Sequence, residues 1–303
     1  MSQELYKKYR PRSLKTVVGN NETVAALRNM IARKTIPHTI LFSGPSGCGK
    51  TTLGRILKKE LHCSDMDFRE MNCSDFRGID TIREIARNMN LSPASGDCRV
   101  WLLDEFSQMS KDGQNAALKM LEDTPAHVYF FICTTDPQKL LKAIQTRCCK
   151  MPVELLNHAD MKKLISRISK REEIDITDDT MESIIDAAAG SARNALVVLD
   201  KITNLPEDQR EKAISQLEDS KEGIELCRAL YKRASWSKIS KLIKEIKSDP
   251  ESLRWAILRY AKSILLNKGD SHAYQIIVCF ENNFYDSKEA GLVRACYEVL
   301  HGE

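Results

Sequence analysis

A chain of 303 residues with 42% apolar and 29% charged side chains is long enough to bury a core and, at roughly 100 to 200 residues per domain, to form two or three domains. Its formal charge of +4 does not demand a polyanionic partner, although a local basic face can still meet nucleic acid. The apolar runs, such as 128–133, are far too short to span a bilayer, and ten cysteines without one C-x-x-C spacing, behind a start that carries no export signal, predict free thiols in a reducing cytoplasm.

The first half alternates two kinds of segment. Val24, Leu27, Met30 and Ile31 share one face of a helix over 22–34, followed by the strand-like H-T-I-L-F-S-G. A helix at 50–61, the strand D-F-R-E-M-N-C, a helix at 79–89, the strand C-R-V-W-L-L-D-E, a helix around 113–122 and the strand V-Y-F-F-I-C-T-T come next. Short apolar runs separated by helices read as strands covered on both faces, which predicts an α/β class with a parallel sheet flanked by helices. From about 155 the strand-like runs stop, and the segments at 207–219, 221–247, 250–267, 271–282 and 287–300 carry apolar residues at three- and four-residue spacing. A linker composition at 203–208, T-N-L-P-E-D, divides this helical half, so the predicted domains are 1–155, a small helical module at 156–204 and a helical domain at 207–303.

The chemistry is concentrated early. G-P-S-G-C-G-K-T runs from Gly44 through Pro45, Ser46, Gly47, Cys48, Gly49 and Lys50 to Thr51, with Thr52 behind it, between a strand and a helix. Its glycines let backbone N–H groups wrap a polyphosphate, the helix start adds positive potential, Lys50 reaches the terminal phosphates and the Thr51 hydroxyl ligates Mg²⁺, which predicts ATP or GTP binding. V-W-L-L-D-E ends in Asp104, a second metal ligand, and Glu105, a carboxylate able to orient and deprotonate an attacking water. The next strand ends in Thr134 and Thr135, whose hydroxyls stand where ligands meet the carboxyl ends of parallel strands.

Five stretches, Y-K-K-Y-R-P-R-S-L-K-T-V-V-G-N, G-P-S-G-C-G-K-T-T, M-N-C-S-D-F-R-G-I-D-T-I-R-E-I, W-L-L-D-E-F-S-Q-M-S-K-D-G-Q-N-A-A-L-K-M-L-E-D-T-P-A-H-V-Y-F-F-I-C-T-T-D-P-Q-K-L and Q-T-R-C, resemble the AAA+ ATPase subunits of sliding-clamp loaders, both bacterial tau/gamma and the replication factor C small subunits. The resemblance implies an AAA+ module, a helical lid and a helical collar that holds a five-membered ring of loader subunits together, with ATP and Mg²⁺ as cofactors and a sliding clamp and primer–template DNA as partners. It implies that Arg147 of T-R-C, where the family has S-R-C, enters the nucleotide site of the neighbouring subunit; a guanidinium is permanently charged and forked to suit a γ-phosphate. It implies that Arg193 in G-S-A-R-N-A-L senses the γ-phosphate within its own chain, that Tyr9, Arg10, Pro11, Val17 and Val18 line the base pocket, and that Asn72 is a polar switch holding Glu105 off the water until DNA binds.

The resemblance also implies phosphate contacts to DNA from Arg77, Arg83, Arg87 and Lys111, with Arg83 and Arg87 four apart on one helix face. Gln114 would couple that helix to the catalytic sheet, and Ile85, Met89 and Leu91 would enter an apolar pocket of the clamp. Cellular bacterial tau/gamma subunits carry a four-cysteine zinc module after the phosphate loop; here only Cys63 and Cys73 fall in that region, so no structural zinc is expected. A length near that of archaeal, eukaryotic or phage small subunits beside a bacterial-looking C-T-T-D-P-Q-K-L is reconciled by a bacteriophage loader subunit working in host cytoplasm. The expected function is ATP-driven clamp opening and loading in DNA replication. The rivals are another AAA+ DNA motor, such as a branch-migration helicase, and a non-hydrolysing structural subunit of the same loader.

Overall fold

The computed structural model describes residues 4–203, 205–206, 209–210, 220–246, 250–284 and 287–301. The chain divides into two compact units, Met1–Leu205 and Pro206–Glu303, and the division falls inside the stretch read as a linker. The first unit takes in both the α/β module and the three helices that follow it.

In the first unit, β1 (Thr39–Ser43), β2 (Phe68–Asn72), β3 (Arg99–Asp104), β4 (Val128–Thr134) and β5 (Cys149–Pro152) form a parallel sheet in the order β2-β3-β4-β1-β5. The helices are α1 (Leu5–Lys8), α2 (Asn21–Ala32), α3 (Lys50–Glu60), α4 (Ile79–Met89), α5 (Lys111–Glu122), α6 (Lys142–Arg147), α7 (His158–Glu172), α8 (Asp178–Ala188) and α9 (Ala192–Ile202). Successive strand residues point to opposite faces, and the sequence is apolar at both parities. Leu41, Trp101, Leu103, Phe130 and Ile132 pack with Ile82 and Ile85 of α4 and Met120 of α5, while Ile40, Phe42, Val100, Leu102 and Phe131 pack with Leu53, Ile56 and Leu57 of α3 and Leu27 of α2.

Two local features escaped the sequence pattern. Strand β5 is four residues long, with only Met151 buried and Pro152 at its end; it lies at a sheet edge beside β1, where a proline removes no interior ladder bond. Helix α5 starts at Lys111, ahead of the predicted 113, because the Ser110 side chain caps it by accepting from Gly113 N.

The second unit comprises α10 (Ser220–Tyr231), α11 (Trp236–Glu245), α12 (Pro250–Lys268), α13 (Ser271–Cys279) and α14 (Lys288–His301), closed around Leu226, Leu230, Ile239, Leu253, Ile257, Ile276, Phe280 and Leu292. The helix predicted over 221–247 is broken: Arg233 takes a left-handed φ of 50° and Ser235 begins α11. The helix predicted over 207–219 lies outside the described residues apart from 209–210. A buried ion pair, Arg254 Nη2 to Glu251 Oε1 at 2.6 Å, is fully engaged, since Phe284 N donates to Glu251 and Arg254 donates to the Phe280 carbonyl.

Candidate functional site: a phosphate loop at the carboxyl edge of the sheet

Strand register sets the site. Asn72 stands beside Asp104 across β2 and β3, and Ser43 beside Thr134 across β1 and β4, so four strand ends finish in one row. The phosphate loop leaves β1 at that row and runs into α3. Unlike α5, α7, α8 and α9, which Ser110, Asn157, Thr177 and Ser191 cap, α3 starts behind Gly49 with no side-chain cap. Its first N–H groups are left to meet an anion.

Three glycines of the loop are required, Gly44 among them because a Cβ there would lie 1.8 Å from the Val153 carbonyl oxygen. Gly49 has a φ of +109° and open space where a Cβ would stand, and Gly47, with a φ of +73°, lies so close to the α9 cap that a Cβ would come within 2.2 Å of Ser191 Oγ. Lys50 is 5% exposed, and its Nζ donates to the Gly44 and Pro45 carbonyls at 2.7 Å each. A buried ammonium needs such partners.

The acids behind the loop are ordered by it and by each other. Thr51 Oγ1 donates to Asp104 Oδ2 at 2.7 Å, and Glu105 N donates to Asp104 Oδ1 at 3.0 Å. Glu105 takes a left-handed φ of 50°, which costs a residue with a Cβ about 1–2 kcal/mol, and Thr135 Oγ1 donates to its Oε2 at 3.0 Å. Asn72, expected to hold Glu105, instead donates to Asp75 and accepts from Ser74 N; the polar hand on Glu105 is Thr135. Beneath them Cys73 is pushed up to about 12 by burial and then by the charges of Asp104 and Glu105, so it stays a neutral thiol. The Cys48 thiol in the loop is likewise raised by burial.

Ser46 to Thr52, Asp104 and Glu105 share a pocket of about 330 Å³, lined also by Tyr9, Arg10, Pro11, Val17, Val18, Asn72 and Arg193. Helix α7 is tied to the N-terminal segment. The Tyr9 hydroxyl and Lys8 Nζ both bond Glu172, and the Tyr9 hydroxyl is held above its ordinary pKa by that carboxylate. Sequence reasoning missed Leu164 and Arg167, which also line the pocket; Arg167 Nη1 donates to the Thr16 carbonyl at 3.3 Å. Nothing in the sequence separates this arginine from the exposed basic residues around it on α7.

The donor set fits a magnesium nucleotide. Thr51 and Asp104 present two oxygens side by side, Lys50 and the uncapped α3 supply positive charge, and Gly49 leaves room between them. Among the described residues, no three His, Cys, Asp or Glu side chains come together as metal ligands.

The remaining expected residues stand elsewhere. Arg147 ends α6 and bonds Glu122 of α5. Arg77, Arg83, Arg87 and Lys111 are exposed; Ser110 N donates to the Arg77 carbonyl at 3.1 Å, joining the starts of α4 and α5, and no side chain caps α4. Gln114 is buried, donating to the Met109 carbonyl and accepting from Leu141 N at 2.9 Å, so it ties α5 to the segment leading into α6. Ile85 and Met89, expected on a clamp, are 3% and 5% exposed within this unit's own core, because α4 turns that face to the sheet. Leu91, at 55% exposed, is the one of the three available to a partner.

A family profile described as DNA polymerase III, delta subunit, matches residues 73–157. DNA polymerase III subunit gamma/tau of Mycobacterium bovis is 34% identical over 221 residues, which is 65% of this chain and 38% of that protein. The replication factor C small subunit of Methanococcus vannielii is 35% identical over 203 residues, 66% of this chain and 64% of that protein. The chain is a relative of the AAA+ clamp-loader subunits. The match thus spans less than two thirds of the length of either relative. The Thermotoga maritima RuvB Holliday junction branch migration motor, 21% identical, superposes with a TM-score of 0.57 over 71% of this chain and 78% of that one, and the two share the AAA+ fold. Among the described residues no helix is long and apolar enough to cross a membrane.

Proposed function

We propose that this chain is an ATP-hydrolysing subunit of a sliding-clamp loader that works in the cytoplasm during DNA replication. The observation that carries the reading is the bonded series Thr51–Asp104–Glu105–Thr135 along the strand ends, facing an uncapped phosphate loop: it is a site built to activate water against a bound triphosphate, in a chain whose relatives are gamma/tau and replication factor C subunits.

In this reading Lys50 and Arg193 bind phosphates, Thr51 and Asp104 hold Mg²⁺, and Glu105 takes the proton of the attacking water while Thr135 fixes its carboxylate. Mg²⁺ held by Thr51 and Asp104 would supply neutralisation of the phosphate charge. Tyr9, Arg10, Pro11, Val17 and Val18 enclose the base. Arg147, which does not line this pocket, completes the site of a neighbouring subunit in a five-membered ring held by residues 207–303, with 1–155 as the nucleotide module and 156–204 as the lid. Arg77, Arg83, Arg87 and Lys111 track the phosphates of primer–template DNA, Leu91 meets the clamp, and Gln114 links the DNA-facing helix to the segment before Arg147.

The test is steady-state ATP turnover of the full chain with and without primer–template DNA and a ring clamp. Turnover that rises at least several-fold when both are added supports the reading. Turnover indifferent to both, together with migration of a four-way junction, would replace it with a branch-migration motor.

A further inference from the structure

Arg147 is already engaged within its own chain. Its Nη2 donates to Oε1 of Glu122, and its Nη1 donates to the Ala143 carbonyl at 2.9 Å, one turn back in α6. Glu122 is the last residue of α5, the helix that begins at Lys111. Between those ends, buried Gln114 holds Leu141 N, immediately before α6. Helix α5 therefore reaches Arg147 by two routes: through the segment that starts α6, and through a direct ion pair at its own carboxyl end.

We propose that Glu122 is a positioning residue for Arg147: it restrains the guanidinium in the unassembled chain and yields it to the terminal phosphate of a neighbouring subunit's ATP. The proposal rests on the reading that Arg147 acts in trans. The pair suits an exchangeable restraint. The Glu122 side chain is half exposed and that of Arg147 one third exposed, so water screens the attraction and the hold is weak. A γ-phosphate carries more negative charge than one carboxylate and accepts the same planar fork through two oxygens. The exchange therefore runs toward a triphosphate. A diphosphate has no terminal group at that place, and Glu122 keeps the arginine. The restraint thus makes engagement depend on the nucleotide as well as on proximity. Because Glu122 and Lys111 lie at opposite ends of one helix, a load on the DNA-facing end can change the balance at the other.

Glu122→Gln keeps size and shape while removing the charge. The measurement is ATP turnover of the full chain, with and without primer–template DNA, for wild type, Glu122→Gln, Arg147→Ala and the double variant. Glu122→Gln is expected to raise DNA-independent turnover about two- to five-fold, the range set by a surface ion pair, with DNA-stimulated kcat and KM for ATP unchanged, so that the stimulation ratio falls. The double variant should lose that gain entirely, since no guanidinium remains to be released. ATP-dependent self-association, followed by sedimentation, should tighten in Glu122→Gln by a similar factor. A merely structural role for Glu122 would instead lower stimulated kcat and persist in the double variant. Either that outcome, or a Glu122→Gln chain with wild-type basal turnover and association, overturns the proposal while leaving the trans reading intact provided Arg147→Ala still abolishes turnover. If Arg147→Ala turns over as wild type does, the trans reading falls and this inference with it.

Discussion

The carboxyl edge of the sheet and the outer side of α4 to α6 carry the same kinds of residue and treat them differently. At the sheet edge, Thr51, Asp104, Glu105 and Thr135 bond one another and Lys50 bonds the loop carbonyls of Gly44 and Pro45, all at 2.7 to 3.0 Å, so these contacts are made before anything binds. On the outer side, Arg83 is exposed and paired with Asp80, one turn away, Arg87 and Lys111 are exposed, and Arg147 rests on a half-exposed carboxylate. The first region is organised by its own chain. The second carries its charge on exposed side chains or in partly exposed ion pairs, which water screens.

That contrast predicts how each region breaks. The largest effect belongs to Arg147→Ala: turnover in the assembled ring should fall about 10³-fold, the scale of an arginine acting on a transferring phosphoryl group, while ATP affinity measured on the isolated chain stays within a factor of two. A loss of affinity there would move Arg147 into the self-organised region. Glu105→Gln should follow, cutting kcat about 10²-fold with ATP still bound, and Thr135→Val should lose less, since it only fixes the carboxylate; rapid-quench measurement of a single turnover separates the two.

Asp67 bears on neither region's chemistry and tests the scaffold behind both. Burial alone would raise its pKa, but Ala94 N, Ser95 N, Ser64 Oγ and Arg99 stabilise the carboxylate and bring it down to about 2. A depressed carboxylate pKa contributes stability that is present above its ordinary value near 3.8 and lost as pH falls through about 2. Asp67→Asn should therefore cost about 1–3 kcal/mol at neutral pH, with the gap to wild type closing between about pH 4 and pH 2 in denaturant titrations. The smallest effect is expected for Arg83→Ala, which should weaken DNA binding a few-fold irrespective of sequence and reduce the slope of log affinity against log salt by about 1. An unchanged slope would remove Arg83 from the phosphate contacts.

Much of the self-organised region was legible in the chain, because phosphate binding needs glycines, a lysine and a hydroxyl at fixed spacing, and strand-covering helices need apolar periodicity. The Asp-Glu pair was legible because a phosphate loop needs an acid for its metal and V-W-L-L-D-E supplies two behind an apolar run. Less could be read where the deciding partner is distant. Asn72 reads as the switch on Glu105, and the path of residues 73–75 turns it to Asp75 instead. Ile85 and Met89 had the spacing of either a core or a docking face, and the sheet claimed them. Arg167 carried no signal at all, since its place in the pocket depends on how α7 lies over the N-terminal segment.

The sequence by itself determined the fold class, the phosphate loop and the identity of the acids behind it, since these follow from local spacing and from backbone conformations that only certain residues adopt. The tertiary structure alone decided which hydroxyl steadies Glu105, which face of α4 is spent on the core, and that Glu122, 25 residues away in the chain, is the carboxylate beside Arg147. Such pairings depend on strand register and helix packing, and no periodicity within a single segment records them.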